Sequence, residues 1–211
     1  MPSSTSAINL DVISKADFKL EPYPHFLGLN FLKEDVVSEL REDFPNITKP
    51  GYLTVDDVQL TGRFKMFIDE LEGPELTETL SQRFGLDLHP YPRLTTIRKW
   101  SQAKDGRIHT DGVAKIMTML VYMNDNWADG GDGRLRVLYD ENNFEPYACE
   151  VPPTMGAVFG FLRTDNSWHG HKPFAGERRV VQIAWIRDEA ELERKVRRNN
   201  FAQKLKGIFG R

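Results

Sequence analysis

The sequence predicts a mainly-β fold with flanking α-helices, on three observations. From Leu94 onward, six short runs rich in β-branched and aromatic residues follow one another, separated by Gly, Asn, Asp and Pro. No helical pattern interrupts them, so they are expected to pair as a sandwich or jelly roll rather than as a parallel sheet with crossovers. The segments on either side carry apolar residues at helical spacing instead.

Taken in order, Val36, Val37, Leu40 and Phe44 fall at helical spacing and Pro45 ends the run, which predicts a first helix over about 32–44. Leu60, Phe64, Phe67 and Leu71, then Leu76, Leu80 and Phe84, predict two amphipathic helices broken at Gly73-Pro74, with their stripes turned to the core. Strands are expected at Leu94–Trp100, Lys115–Met123, Arg134–Tyr139, Tyr147–Val151, Ala157–Leu162 and Arg179–Ile186. A basic helix from Glu191 to Phe209 closes the chain, with Val196, Phe201, Leu205, Ile208 and Phe209 as its apolar stripe and a solvated basic face. One domain is expected, made of a helical segment (1–90) packing on a β core (91–187) and followed by the basic helix (188–211).

At 211 residues, with 40% hydrophobic and 28% charged residues, the chain has the composition of a globular protein able to bury a sizeable core. A formal net charge of −3 argues against a general nucleic-acid binder. Cys149 is the only cysteine, so no internal disulfide can form, and its alternation with Tyr147 and Val151 suggests a buried inert thiol. No apolar run approaches the ~20 residues of a membrane span, and a cytoplasmic location is expected.

Two fragments about sixty residues apart carry the chemistry: His109-Thr110-Asp111, and Trp168-His169-Gly170-His171-Lys172-Pro173. In an extended segment, side chains two apart share a face, so His109 and Asp111 can point to one pocket, and so can His169 and His171. Two imidazoles and one carboxylate on a β framework suit a mononuclear iron(II) oxygenase site, because three protein ligands on one face leave positions open for co-substrate and O2. The same donors would also bind zinc in a non-catalytic or structural site. Two other acid- and glycine-rich features are set aside. Gly130-Gly131-Asp132-Gly133 lacks the Lys-Ser/Thr ending of a phosphate loop, and the segment from Asn124 puts Leu135 or Arg136 where a calcium loop needs Glu.

The ordered combination resembles the 2-oxoglutarate and iron(II)-dependent dioxygenase superfamily, and within it the prolyl 4-hydroxylase-like group. That group carries H-x-D, a strand ending in a Tyr-Leu-Asn-like triplet, a Gly-Gly turn, a strand, then H-x-x-x-P followed by an Arg and, six residues on, a Trp. Here these are His109-Thr110-Asp111, Tyr122-Met123-Asn124, Gly130-Gly131, His169 to Pro173, then Arg179 and Trp185, across roughly residues 94–187.

The resemblance implies a double-stranded β-helix core of the jelly-roll, cupin-like kind, with Fe(II), 2-oxoglutarate and O2 as cofactor and co-substrates. It implies His109, Asp111 and His169 as the iron ligands, which leaves His171 as a pocket residue. Arg179 is expected to hold the distal carboxylate of 2-oxoglutarate. Arg178 is its competitor, and strand alternation with Val181, Ile183 and Trp185 selects Arg179. Tyr122 is expected to donate to the same carboxylate, while Trp100, Arg163, Asn166 and His171 are candidate pocket residues.

The reaction implied is hydroxylation of a C–H bond with release of succinate and CO2, on a small-molecule, sugar-like or prolyl-type peptide substrate. Asp111 favours hydroxylation, since related halogenases lack that carboxylate. Nucleic-acid dealkylation fits poorly, because those relatives carry a further Arg where Trp185 stands.

Overall fold

The computed structural model describes residues 6–127 and 132–198. Five helices are seen among them: α1 (Asp11–Lys15), α2 (Val37–Glu42), α3 (Gly62–Leu71), α4 (Pro74–Phe84) and α5 (189–198). The strands are β1 (Phe18–Lys19), β2 (His25–Gly28), β3 (Leu53–Thr54), β4 (Arg93–Ser101), β5 (Lys115–Tyr122), β6 (Leu135–Leu138), β7 (Tyr147–Val151), β8 (Val158–Leu162), β9 (His169–Gly170) and β10 (Gly176–Ile186).

All strand pairs are antiparallel, in a seven-stranded sheet of order β1-β2-β8-β5-β10-β4-β3 and a three-stranded sheet of order β7-β6-β9. The two sheets pack face to face as a jelly roll with helices outside. Leu120, Tyr122, Phe159, Phe161 and Val180 of the large sheet meet Leu135, Val137 and Val151 of the small one in a single apolar cluster.

The other face of the large sheet is also covered. Met117, Met119, Val121, Val181, Ile183 and Trp185 pack with Phe64, Phe67, Leu71, Leu76 and Leu80 of α3 and α4. The central strands are therefore buried on both faces, which is why β5 and β10 read as near-continuous apolar runs rather than as clean alternation.

The helices form where the pattern placed them. In α3, Phe64, Phe67, Ile68 and Leu71 fill one buried face, and the Asp43 carboxylate accepts from the Arg63 N–H at 2.6 Å in place of a local cap. Pro74 opens α4, where its missing N–H costs nothing, and Gly85 ends it in the left-handed conformation.

Residues 1–90 were expected to be helical, and here the fold differs. The segment also supplies β1 and β2 at one edge of the large sheet and β3 at the other. These strands are two to four residues long, too short to display a period of two. At the other end, Leu192 and Val196 of α5 pack on Leu94, Ala114, Ala184 and Ile186. The rest of the expected basic helix, with Phe201, Leu205, Ile208 and Phe209, lies outside the described residues, as does the Gly130-Gly131 turn. No helix among the described residues is long and apolar enough to cross a membrane. Cys149 is half-buried on β7 rather than fully enclosed, and burial pushes its thiol pKa up.

Candidate metal centre and co-substrate cavity

His109 and His169 sit opposite each other in a narrow antiparallel bridge. The His109 N–H donates to the His169 carbonyl at 2.9 Å and the His169 N–H to the His109 carbonyl at 3.0 Å. This pairing brings two residues sixty positions apart to a ring-centroid distance of 4.4 Å. Asp111 follows on the same side, and one ligand atom from each of the three residues lies within 4.8 Å of the others.

Each ring is oriented the same way. The Nδ1–H of His109 donates to the Arg107 carbonyl and that of His169 to the Ser167 carbonyl, both at 2.9 Å. A carbonyl can only accept, so both Nδ1 atoms are protonated and both Nε2 lone pairs are left for a metal.

The protonation states suit a cation as well. Burial, against the pull of Asp111, holds the His169 pKa down at about 4, so the imidazole is neutral. Burial alone would raise the Asp111 pKa, but the Lys115 ammonium and the Thr118 hydroxyl outweigh it and keep the carboxyl ionised. Lys115 Nζ donates to one Asp111 oxygen at 2.8 Å and Thr118 Oγ1 to the other at 2.6 Å. Ligand atoms ~2.1 Å from one first-row ion and at right angles to one another stand roughly 3 Å apart, so side-chain rotations of ångström size close this cluster on a metal. The donor set fits iron(II).

Two cavities meet at the cluster. The inner one, about 190 Å³, lies between the sheets and is walled by Tyr52, Arg98, Asp105, Thr118, Leu120, Leu135, Phe161, His171, Arg178 and Gln182, together with the three ligands and Gly170. The outer one, about 430 Å³, runs from His109 and Asp111 past Thr110, Val113 and Lys115 to Glu191, Arg194, Lys195 and Arg198 of α5.

The arginine expectation is corrected by the geometry. Arg178, 3% exposed, lines the inner cavity, whereas Arg179 turns outward to pair with Glu177 and lie over the Phe44 ring. Alternation correctly groups Arg179 with Val181, Ile183 and Trp185. That face packs on the helices, however, while Arg178, Val180 and Gln182 face the opposite sheet and the cavity. The signal was present in Gln182, a polar residue in an apolar strand at the parity of Arg178.

Arg178 Nε donates to the Gly133 carbonyl at 2.9 Å and Nη2 to the Tyr122 hydroxyl at 3.1 Å. Tyr122 is fully buried behind Arg178 and is not part of the cavity wall. Burial raises its pKa against the opposing guanidinium, so the hydroxyl stays neutral.

The other candidates divide. His171 lines the inner cavity, and burial followed by Arg178 holds its pKa down at about 4. Trp100 is outside it, donating its indole N–H to the Ile47 carbonyl at 2.8 Å. Arg163 braces the site from behind, its Nε donating to the Asp111 carbonyl at 3.2 Å. Asn166 is exposed and donates to the Pro22 carbonyl at 2.7 Å, away from both cavities. Tyr52, Arg98, Asp105, Thr118 and Gln182 were not expected. Their only sequence signal is a polar residue at one parity of an otherwise apolar strand, as with Arg98, Thr118 and Gln182.

Comparison with known proteins agrees with this geometry. The family model described as the 2OG-Fe(II) oxygenase superfamily matches residues 97–187. By sequence, no curated protein matches the chain. Among solved structures, a Pseudomonas putida prolyl-4-hydroxylase aligns with TM-score 0.59 at 19% identity, covering 88% of this chain and 97% of that one. A Phytophthora capsici prolyl 4-hydroxylase gives 0.53 at 17% identity, covering 85% of this chain and 63% of that one. A Trichoplax adhaerens prolyl hydroxylase, in complex with a peptide fragment of the hypoxia inducible factor oxygen degradation domain, gives 0.51 at 16%, covering 84% and 86%. The matched segment carries all three ligands, and the fold is one shared with prolyl hydroxylases.

Proposed function

We propose that the chain hydroxylates a C–H bond of a polar small molecule or a peptide residue, using 2-oxoglutarate and O2 and releasing succinate and CO2. The observation that carries this reading is the pair of cavities sharing His109 and Asp111, the smaller lined by His169 and the buried Arg178, the larger more open. When bound, iron(II) supplies O2 activation coupled to decarboxylation of the 2-oxo acid and oxidation of the C–H bond.

The protein contributes position and water exclusion. Arg178 offers a planar fork for the distal carboxylate of 2-oxoglutarate, already aligned by Gly133 and Tyr122. Leu120, Leu135 and Phe161 supply the apolar wall that strengthens this charge-assisted contact. Lys115 and Thr118 hold Asp111 ionised and oriented. The primary substrate approaches through the outer cavity, where its reacting carbon can reach the ligands His109 and Asp111. The hypoxia-factor peptide bound by the Trichoplax structure supports a peptide as one such substrate.

Nucleic-acid dealkylation remains disfavoured, because six residues after Arg178 stands Ala184 and six after Arg179 stands Trp185. A purely structural metal site would have no need of a buried guanidinium lining the same cavity as the cluster.

The test is a metabolite and peptide panel scored by succinate release, with products weighed under labelled O2. One labelled oxygen per succinate is expected. His109→Ala and His169→Ala should abolish iron binding and turnover, whereas His171→Ala should retain the metal. Asp111→Gly should abolish hydroxylation even where weak iron binding survives. Unlabelled product, or full hydroxylation by Asp111→Gly, defeats the proposal.

A further inference from the structure

Arg98, on β4, is a second guanidinium in the inner cavity, and it is 8% exposed. In the β10–β4 register it stands opposite Val180, and β10 carries an extra residue between Glu177 and Val180. Arg178 precedes Val180 by two, so the two arginines lie diagonally on one face of adjacent strands. Like charges at neighbouring positions of one sheet face are destabilising, and burial makes them more so.

Arg98 is ion-paired with Asp105 but not hydrogen-bonded to it. Its guanidinium stacks over the Tyr52 ring at 4.0 Å from the centroid. The nearest carboxylate oxygen, on Asp105, is 3.7 Å from Nη1, beyond hydrogen-bond range, and Asp105 already accepts from the Gln102 N–H at 2.9 Å. Arg98 Nε is buried with no hydrogen-bond partner among the described residues. The other acid on the cavity wall, Asp111, is taken by Lys115 and Thr118 and belongs to the metal cluster. The cavity thus carries, beside Arg178, a second guanidinium whose Nε donor is unused. Its volume of about 190 Å³ admits a five-carbon dicarboxylate.

We propose that Arg98 is a second carboxylate-binding arginine, so that the distal carboxylate of 2-oxoglutarate is held between Arg98 and Arg178. This rests on reading the inner cavity as the co-substrate site. The two guanidiniums supply convergent donors from two strands, and the bound anion relieves their mutual repulsion. A cavity so built selects a dianion over a mono-acid of the same length. It also couples co-substrate binding to the stability of the β4–β10 pair.

The experiment is calorimetric titration of the Mn(II)-substituted protein with 2-oxoglutarate and with 2-oxobutyrate, which lacks the distal carboxylate, alongside the rise in Tm each ligand causes. Arg98→Met keeps the aliphatic stem on Tyr52 and should weaken 2-oxoglutarate binding at least tenfold and shrink its Tm rise. Arg98→Lys should recover part of the loss, and 2-oxobutyrate binding should change less than threefold in either variant. If Arg178→Met weakens 2-oxoglutarate and Arg98→Met and Arg98→Lys do not, Arg98 is only structural and the inference fails. An equal loss for both ligands overturns it too, because Arg98 would then not face the distal carboxylate. If neither Arg178→Met nor Arg98→Met affects 2-oxoglutarate, the co-substrate reading of the cavity fails with it. Should Arg98→Met not fold, the Arg98→Lys titration decides on the same terms.

Discussion

At the scale of single residues, charge location governs the co-substrate end of the site. Arg178 is buried and hydrogen-bonded in the cavity, while Arg179, one position on, is ion-paired to Glu177 outside it. Removing one side of a buried charge-assisted pair costs roughly 2–5 kcal/mol, and each 1.4 kcal/mol is about tenfold in affinity. Arg178→Met should therefore raise the apparent 2-oxoglutarate constant by more than an order of magnitude, and Arg179→Met should leave it within a few-fold. A titration of the two variants that ranks them the other way would return the role to Arg179. Gly106 is a second sensitive position. A Cβ there would run into the His171 carbonyl and imidazole, so the chain carrying His109 can lie this close to the His171 strand only with glycine. Gly106→Ala should lower Tm and weaken metal binding together; loss of neither would mean that the two segments separate freely.

At the scale of elements, a β-bulge decides which arginine faces in. β10 gains one residue relative to β4 between Glu177 and Val180, and Asn124 secures the irregularity. Asn124 Oδ1 accepts from the Arg179 N–H at 2.7 Å, and Nδ2 donates to the Arg179 carbonyl at 3.2 Å and to the Pro153 carbonyl at 2.5 Å. Leaving the buried Pro153 carbonyl or the Arg179 N–H without a partner costs about 1–3 kcal/mol each, while the Arg179 carbonyl keeps the Met123 N–H. Asn124→Ala should thus lower the denaturant midpoint and, by freeing the bulge, weaken 2-oxoglutarate binding; stability loss with unchanged affinity would uncouple Asn124 from Arg178. The legibility of the fold follows the same logic. Helices α3 and α4 were readable from their period, and strands β4 to β8 as apolar, β-branched runs set between turn residues. The choice of His169 over His171 came from the resemblance, whereas His109 and Asp111 were readable as a pair because a two-residue spacing on extended chain gives a shared face. The facing of Arg178 was not, since parity says which residues travel together and only the packing of two layers says which side holds the cavity. The edge strands β1 to β3 escaped for want of length.

At the scale of the molecule, the matched segment shares its sheet and its core with its flanks. The family match spans 97–187, yet the large sheet that carries Thr118, Arg178 and Gln182 is completed by β2 against β8 and β3 against β4, both from the first sixty residues. The same N-terminal segment is tied to α3, where the Glu70 carboxylate accepts from the Ala7 N–H at 2.9 Å, and Phe26, Phe31, Leu32 and Leu40 complete the core beneath the sheet. Each large apolar side chain so buried contributes roughly 1.5–3 kcal/mol, against a net stability of only about 5–15 kcal/mol for a whole domain. Tyr52, which stacks under Arg98, would be lost as well. A fragment of residues 91–211 would open both edges of the large sheet and strip the helices from its apolar face, inviting edge-to-edge association. Expressed alone, this fragment should aggregate or show no cooperative unfolding, and it should bind neither Mn(II) nor 2-oxoglutarate, whereas the full chain unfolds in one transition that both ligands shift upward. A soluble fragment with a cooperative melt and intact metal binding would show that the matched segment folds by itself and that β2, β3 and the helices are accessories to the core.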